Sequence, residues 1–226
     1  AADKAMTFGD KAGQAFNQVH EAIVAAGIAV ALKEIYEYFA SCAQASMDFE
    51  SAITGVAKTT DLTDEELAAM SDSIKALSTE IPATTEEIAA VAEAAGQLGI
   101  QKDALLDFTE IMTMLGTATN MTADEAATAL ARFANITGMA TDNYGRLGSV
   151  IVDLGNNFAT TESEIVAMGT RLASAGKLAG LTEPEIMALA AAMSSVGIEA
   201  EAGGTAMTQT LNAIEKAVAK GGDDLA

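Results

Sequence analysis

The sequence contains no Trp, one Cys, one His and two Pro among its 226 residues. The single Cys, Cys42, excludes an internal disulfide and a zinc site built from several cysteines. The lone His20 has no second His or Cys at helical spacing, so a metal site is not expected. A Ser/His/acid triad would have to use His20, and no nucleophile-elbow sequence is present. We therefore expect no enzymatic activity, no cofactor, and no catalytic, cofactor-binding or metal-binding residues.

Positive charge is scarce, because 12 Lys and Arg stand against 32 Asp and Glu, giving a net charge of −20. A surface of this charge repels phosphates, so no nucleic-acid partner is expected. The charge is also uneven: residues 1–60 have a net charge of −3 and residues 61–226 one of −17. This contrast predicts two domains, a long helix with a heptad-like seam over 1–60 and an acidic multi-helix core module over 61–226.

Long apolar runs are also missing. The run at residues 22–32 has eleven residues, whereas a transmembrane helix needs about 20. No cationic segment precedes this run, so a signal peptide is not expected. The negative charge disfavours an anionic membrane surface. We expect no membrane contact from this chain, and the single Cys suits a reducing cytoplasm.

Five threonines are each followed, three residues later, by a glutamate at the start of an apolar run. This spacing is that of a capping box, in which the Thr side chain accepts from the Glu backbone N–H and the Glu side chain from the Thr backbone N–H. Each box marks a helix start, because it satisfies two of the N–H groups that such a start leaves unpaired. The pairs are Thr63/Glu66, Thr84/Glu87, Thr122/Glu125, Thr161/Glu164 and Thr182/Glu185.

Helix starts recur about every 20 residues after residue 61, and further starts are predicted near Lys102/Asp103, Thr141 and Gly203/Gly204. The sequence therefore predicts an all-α fold, with a long N-terminal helix and an array or bundle of about seven or eight short helices. Residues 87–100 match residues 185–198 at seven of fourteen positions, which indicates duplicated helical hairpins. Five glycines are predicted to follow helix ends: Gly99, Gly116, Gly138, Gly180 and Gly197.

Residues 10–58 are predicted to form one long helix or two in tandem. Apolar residues alternate spacings of four and three there, with Ser46 as the polar interruption, which is the pattern of a coiled-coil seam. Two interpretations stay open: the seam packs on the chain's own later helices, or it forms a parallel coiled coil between copies. The candidate oligomer seam consists of Ile28, Leu32, Ile35, Phe39, Cys42, Phe49, Ile53 and Val56.

Acidic residues and methionines both have a structural explanation. The paired acids, such as Glu86/Glu87 and Asp124/Glu125, crowd the predicted first turns, where the helix dipole favours negative charge. Most methionines lie inside apolar stripes and are interpreted as core residues, although a plastic binding groove is the alternative. These methionines are Met70, Met112, Met114, Met168, Met187, Met193 and Met207.

Four segments of the chain resemble the core region of phage tail tape-measure proteins, in the order that family shows. Residues 45–58 (ASMDFESAITGVAK) resemble the helix at its entry, and residues 94–99 (AAGQLG) its hairpin turn. Residues 143–154 (NYGRLGSVIVDL) are similar to a later helix, and residues 190–198 (AAAMSSVGI) with 202–206 (AGGTA) to the closing segment. The resemblance covers residues 28–220.

This resemblance implies a structural component of a tailed-phage or prophage tail, a fragment of the protein that occupies the tail tube and sets tail length. It implies tail-tube proteins and tail-assembly proteins as partners, and the candidate seam adds other copies of the chain. It also implies location in the virion tail after assembly in the bacterial cytoplasm. The family assigns no catalytic residues to this region. The alternative is a helical protein–protein interaction module without catalytic activity, which presents a Met-lined groove to a partner helix.

Overall fold

The structure, a computed structural model, describes Gly13 and residues 16–21 and 29–219. The all-α prediction is confirmed: the described residues form helices joined by short turns, with no strand among them. A 3-10 turn spans Thr141–Asn143. From residue 29 onward the helices are α1 (Ala29–Thr59), α2 (Asp64–Glu80), α3 (Thr85–Gln97), α4 (Leu105–Ala118), α5 (Ala123–Thr137), α6 (Tyr144–Asn157), α7 (Glu162–Leu178), α8 (Glu183–Ser195) and α9 (Ala200–Ala219).

All five predicted Thr–Glu pairs are hydrogen-bonded, immediately before α2, α3, α5, α7 and α8, and the first four form complete capping boxes. At α5, for example, the Thr122 N–H donates to Glu125 Oε2 at 2.8 Å and the Glu125 N–H donates to Thr122 Oγ1 at 3.2 Å. At Thr182 the backbone N–H and the hydroxyl both donate to Glu185 Oε2 at 2.8 Å. The Thr-x-x-Glu pattern therefore located these five starts to the residue.

Four of the five glycines that were predicted to follow helix ends have the left-handed backbone of that position. They are Gly99, Gly138, Gly180 and Gly197, with φ between 68° and 83°. The prediction for Gly116 is wrong, because α4 continues through it to Ala118. A Cβ at Gly116 would lie 2.7 Å from the backbone N of Ala123, the first residue of α5. Because Gly116 has no side chain, the first residue of α5 can lie against the last turn of α4.

The duplication predicted from sequence extends over a whole helical hairpin. Helices α2 and α7 both have 17 residues, and α3 and α8 both have 13. The first residues of α2 and α7 are 98 positions apart, and so are those of α3 and α8. The two copies differ in the helix that follows, because α4 packs on α3 whereas α9 packs on α7. The fold therefore repeats a unit of two helices, and the helix that packs on this unit differs between the two copies.

The part of the chain after residue 55 has a core of small and medium side chains. Phe108, Leu130, Phe133 and Met168 are at most 1 % exposed, and the Phe108 ring meets the Tyr144 ring edge-on at 4.8 Å. Five of the seven methionines interpreted as core residues are buried, namely Met70, Met112, Met168, Met187 and Met193. With few aromatic residues available, flexible thioethers fill the spaces between Ala-rich helices.

The chain divides into two compact units, Ala1–Gly55 and Val56–Ala226. In the first unit the helical segment 16–21 packs against α1, where the Phe16 and Phe39 rings stack at 4.7 Å and the Tyr36 hydroxyl donates to Asn17 Oδ1 at 2.8 Å. In a single straight helix, residues 23 positions apart would be separated by about 35 Å. Of the two predicted alternatives for residues 10–58, these contacts therefore favour two helical segments over one continuous helix.

Candidate interaction surfaces

The acidic residues of the capping boxes are bonded within their own helix starts. The pKa of Glu125 lies below its ordinary value of 4.5, because its carboxylate accepts the Thr122 backbone N–H. The same cause lowers the pKa of Glu164 and of Glu185. The pKa of Glu66 is lowered mainly by Lys102, whose ammonium lies 2.7 Å from the Glu66 carboxylate. These carboxylates stabilise helix N-termini, and their low pKa values suit this structural role rather than proton transfer.

The residues most often used in catalysis are dispersed in the structure. His20 lies in the first unit with its ring 4.6 Å from the Tyr36 ring, and Cys42 is exposed. Among the described residues, no three His, Cys, Asp or Glu side chains come together as a metal site would require. Within the same part of the chain, every buried side-chain nitrogen and oxygen has a hydrogen-bond partner. The remaining candidates for function are therefore surfaces, of which two are distinctive.

The first surface is the candidate oligomer seam on α1. Ile28 and the side chain of Leu32 lie outside the described residues. Along the rest of the seam, exposure falls toward the C-terminal end of α1. Ile35 is 49 % and Phe39 is 42 % exposed, and Cys42 is also exposed. Phe49 and Ile53 are half-buried and Val56 is fully buried.

The second surface is a groove of about 590 Å³ between α4, α6 and the end of α2, which we call the α4–α6 groove. Its apolar floor is formed by Ile81, Ile111, Met114, Leu115 and Val152. Met114 is 50 % exposed there. It was predicted to be a core residue, but it lines this groove instead. The rest of the lining consists of Glu80, Pro82, Thr117, Ala118, Gly145, Gly148, Ser149, Asp153 and Asn156.

Glycines on α6 set the depth of the α4–α6 groove. A Cβ at Gly148 would lie 3.2 Å from Leu115 Cδ1, and one at Gly145 would lie 3.6 Å from Ile111 Cδ1. Without a side chain at either position, the α6 backbone approaches α4 and leaves an open channel above it. Sequence reasoning missed this surface, although two glycines three positions apart on a helix give a face where another backbone can approach closely.

Residues 71–225, more than half of the chain, match the model of the family described as phage-related minor tail protein. The chain belongs to this family. Both surfaces can therefore be considered as parts of a minor tail protein: the family match includes the whole α4–α6 groove and begins after α1 has ended.

Membership makes this minor tail protein a structural component of a phage tail, found in the virion tail, with other tail components as its partners. Comparison with curated proteins and with solved structures gave no match. In the described part of the chain, no helix combines the length and the apolar character needed to cross a bilayer.

Proposed function

We propose that this minor tail protein is a fragment of the tape-measure protein, which occupies the tail tube during assembly and sets the length of the tail. The order of four sequence segments carries this proposal, because residues 45–58, 94–99, 143–154 and 190–206 resemble the core region of tape-measure proteins in that family's order. Each segment alone is a weak signal, but four in sequence are specific. The family match over residues 71–225 includes the last three.

The charge of the chain suits a position in the tail tube, through which DNA later passes. A net charge of −20 keeps the protein from binding to DNA, because phosphates and carboxylates repel each other. The proposed partners are the tail-tube proteins, tail-assembly proteins and other copies of the chain, brought together in the bacterial cytoplasm.

Association between copies is proposed to use the α1 seam. Tyr38 flanks this seam and is 67 % exposed, in addition to the exposed Ile35 and Phe39. A surface helix that leaves this much apolar side chain in water gains about 25 cal/mol for each Å² that a partner covers. A parallel coiled coil between copies covers the same residues of each chain, because the heptad pattern is shared.

Release of the protein during DNA ejection tests the tape-measure proposal. Intact virions and particles that have ejected their DNA are compared by quantitative mass spectrometry of peptides from residues 29–219. The proposal expects these peptides in intact virions and their loss from emptied particles, with the tail-tube protein as the control that is retained. Retention of this chain in emptied particles, in proportion to the tube protein, would contradict a tape-measure role.

The alternative is a helical protein–protein interaction module that stays in the tail. One observation favours it, the α4–α6 groove, which is open and has an apolar floor of the kind on which a partner helix packs. An interaction module is retained in emptied particles, whereas a tape-measure fragment leaves, so the ejection experiment separates the two.

A further inference from the structure

Three helix C-termini converge on the α4–α6 groove. The lining includes Glu80, the last residue of α2, together with Thr117 and Ala118 at the end of α4 and Asn156 at the end of α6. The last turn of a helix has carbonyl groups without intrahelical partners and carries a partial negative charge. None of these three helices has a basic residue in its last turn. The negative ends are therefore left without a cation from their own helices.

Carboxylates add to this negative charge. Glu80 and Asp153 line the groove, whereas none of its lining residues is Lys or Arg. The groove thus combines an apolar floor at Ile111, Met114 and Val152 with negative charge at its margins. A ligand that satisfies both features has an apolar stripe flanked by positive charges.

We propose that the α4–α6 groove binds a Lys- or Arg-rich amphipathic helix of a partner protein. The lining residues of α6 extend from Gly145 to Asn156, a length of about 18 Å, which accommodates about three helical turns. Apolar side chains of the partner cover Met114 and Val152. Its basic side chains reach the carboxylates of Glu80 and Asp153 and the terminal carbonyls of α2, α4 and α6.

Charge also distinguishes this occupant from a second copy of the chain. The sequence has 12 basic residues against 32 acidic ones. None of the helices α1 to α9 carries more than two Lys or Arg. A helix from another copy would therefore bring further carboxylates toward Glu80 and Asp153 or leave the three helix ends without cations. The proposed occupant is a basic segment, and none of the described helices of this chain is such a segment.

Binding of two model peptides to the full chain tests the proposal. The probes are a fluorescent Leu/Lys peptide of about four helical turns with leucines at i, i+3, i+4 and i+7, and a Leu/Glu peptide of the same pattern. Fluorescence anisotropy at low ionic strength is expected to show binding of the Leu/Lys peptide and none of the Leu/Glu peptide. Met114→Gln is expected to weaken binding about tenfold, or by about 1.4 kcal/mol, since it removes apolar contact area from the groove.

Matched variants locate the binding site. Ile136→Gln changes a side chain that is 46 % exposed on α5, outside the groove, and is expected to leave binding unchanged. Glu80→Gln with Asp153→Asn is expected to weaken binding about tenfold, whereas Glu50→Gln with Glu215→Gln, which removes as much charge elsewhere, is expected to change it less than twofold. Circular dichroism of each variant verifies that its helices are intact.

Three outcomes would overturn the proposal. The first is the absence of Leu/Lys peptide binding by the wild-type chain. The second is equal loss of binding in the groove variants and in their controls, which would indicate attraction to the whole acidic surface. The third is a change in sedimentation of the protein alone on Met114→Gln, with peptide binding unaffected, since it would make a second copy of the chain the occupant.

Discussion

Replacing Gly116 by alanine tests whether packing or helix propensity determines the contact between α4 and α5. Gly155 provides a matched control. Gly116 and Gly155 are each the third residue from the end of a 14-residue helix, and each lies seven positions before the first residue of the next helix. At Gly116 a Cβ would lie 2.7 Å from the backbone N and 2.9 Å from the Cα of Ala123. At Gly155 its three nearest atoms would all belong to the side chain of Glu162.

These neighbours differ in whether they can move. The Glu162 side chain can turn into solvent, so Gly155→Ala is expected to stabilise the protein by about 0.5–1 kcal/mol through higher helix propensity. The backbone of Ala123 is fixed by the capping box that starts α5. Overpacking against it costs about 1–3 kcal/mol, which exceeds the propensity gain. Gly116→Ala is therefore expected to destabilise the protein by up to about 2 kcal/mol.

Thermal and urea unfolding of the two variants measures the difference in sign. For a chain of this size, each kcal/mol changes Tm by about 2–4 °C. Gly116→Ala is expected to lower Tm and the urea midpoint, and Gly155→Ala to raise both. If both substitutions raise Tm by the same amount, then backbone contact at Gly116 does not limit the packing of α5 on α4, and the reasoning is refuted.

Further predictions concern the helix starts and the seam. Thr122→Ala is expected to lower the free energy of urea unfolding by about 1 kcal/mol. Because the folded pKa of Glu125 is lowered, the ionised Glu125 carboxylate stabilises the protein above pH 4.5, and this stabilisation is lost as the pH falls through the folded pKa. A Glu125→Gln variant should lose less stability on acidification, and an identical acid transition in both proteins would contradict this. In sedimentation, Ile35→Asp should dissociate the proposed oligomer, whereas Met47→Asp, which lies outside the seam, should not. Oxidation should form a disulfide between the Cys42 residues of two parallel copies. A protein that is monomeric with or without Ile35→Asp would exclude the seam as an oligomer contact.

Local signals in the sequence were sufficient to predict five of the helix starts. A Thr-x-x-Glu pattern acts within one turn, so it marked the starts at Thr63, Thr84, Thr122, Thr161 and Thr182 without knowledge of the fold. The same holds for the four glycines with positive φ, whose conformation is set by the helix that they end. All-α architecture followed from these local features together.

Features that depend on contacts between distant segments were not predictable in this way. Gly116 resembles a glycine after a helix end, and only the approach of Ala123 explains why it lies inside α4. The α4–α6 groove combines Ile81, Ile111 and Gly148 from three parts of the chain, and no sequence window contains all three. The packing of residues 16–21 on α1 is likewise visible only from contacts such as the stacking of Phe16 on Phe39.

Tail length measured by electron microscopy tests the tape-measure proposal most directly. In the phage that encodes this chain, alanine-rich helical segments of increasing length are inserted in frame into its gene, outside the codons for residues 29–219. A tape-measure role predicts tails that lengthen in proportion to the insertion, by about 1.5 Å for each inserted helical residue. Tails of unchanged length in virions that carry the lengthened protein would contradict it.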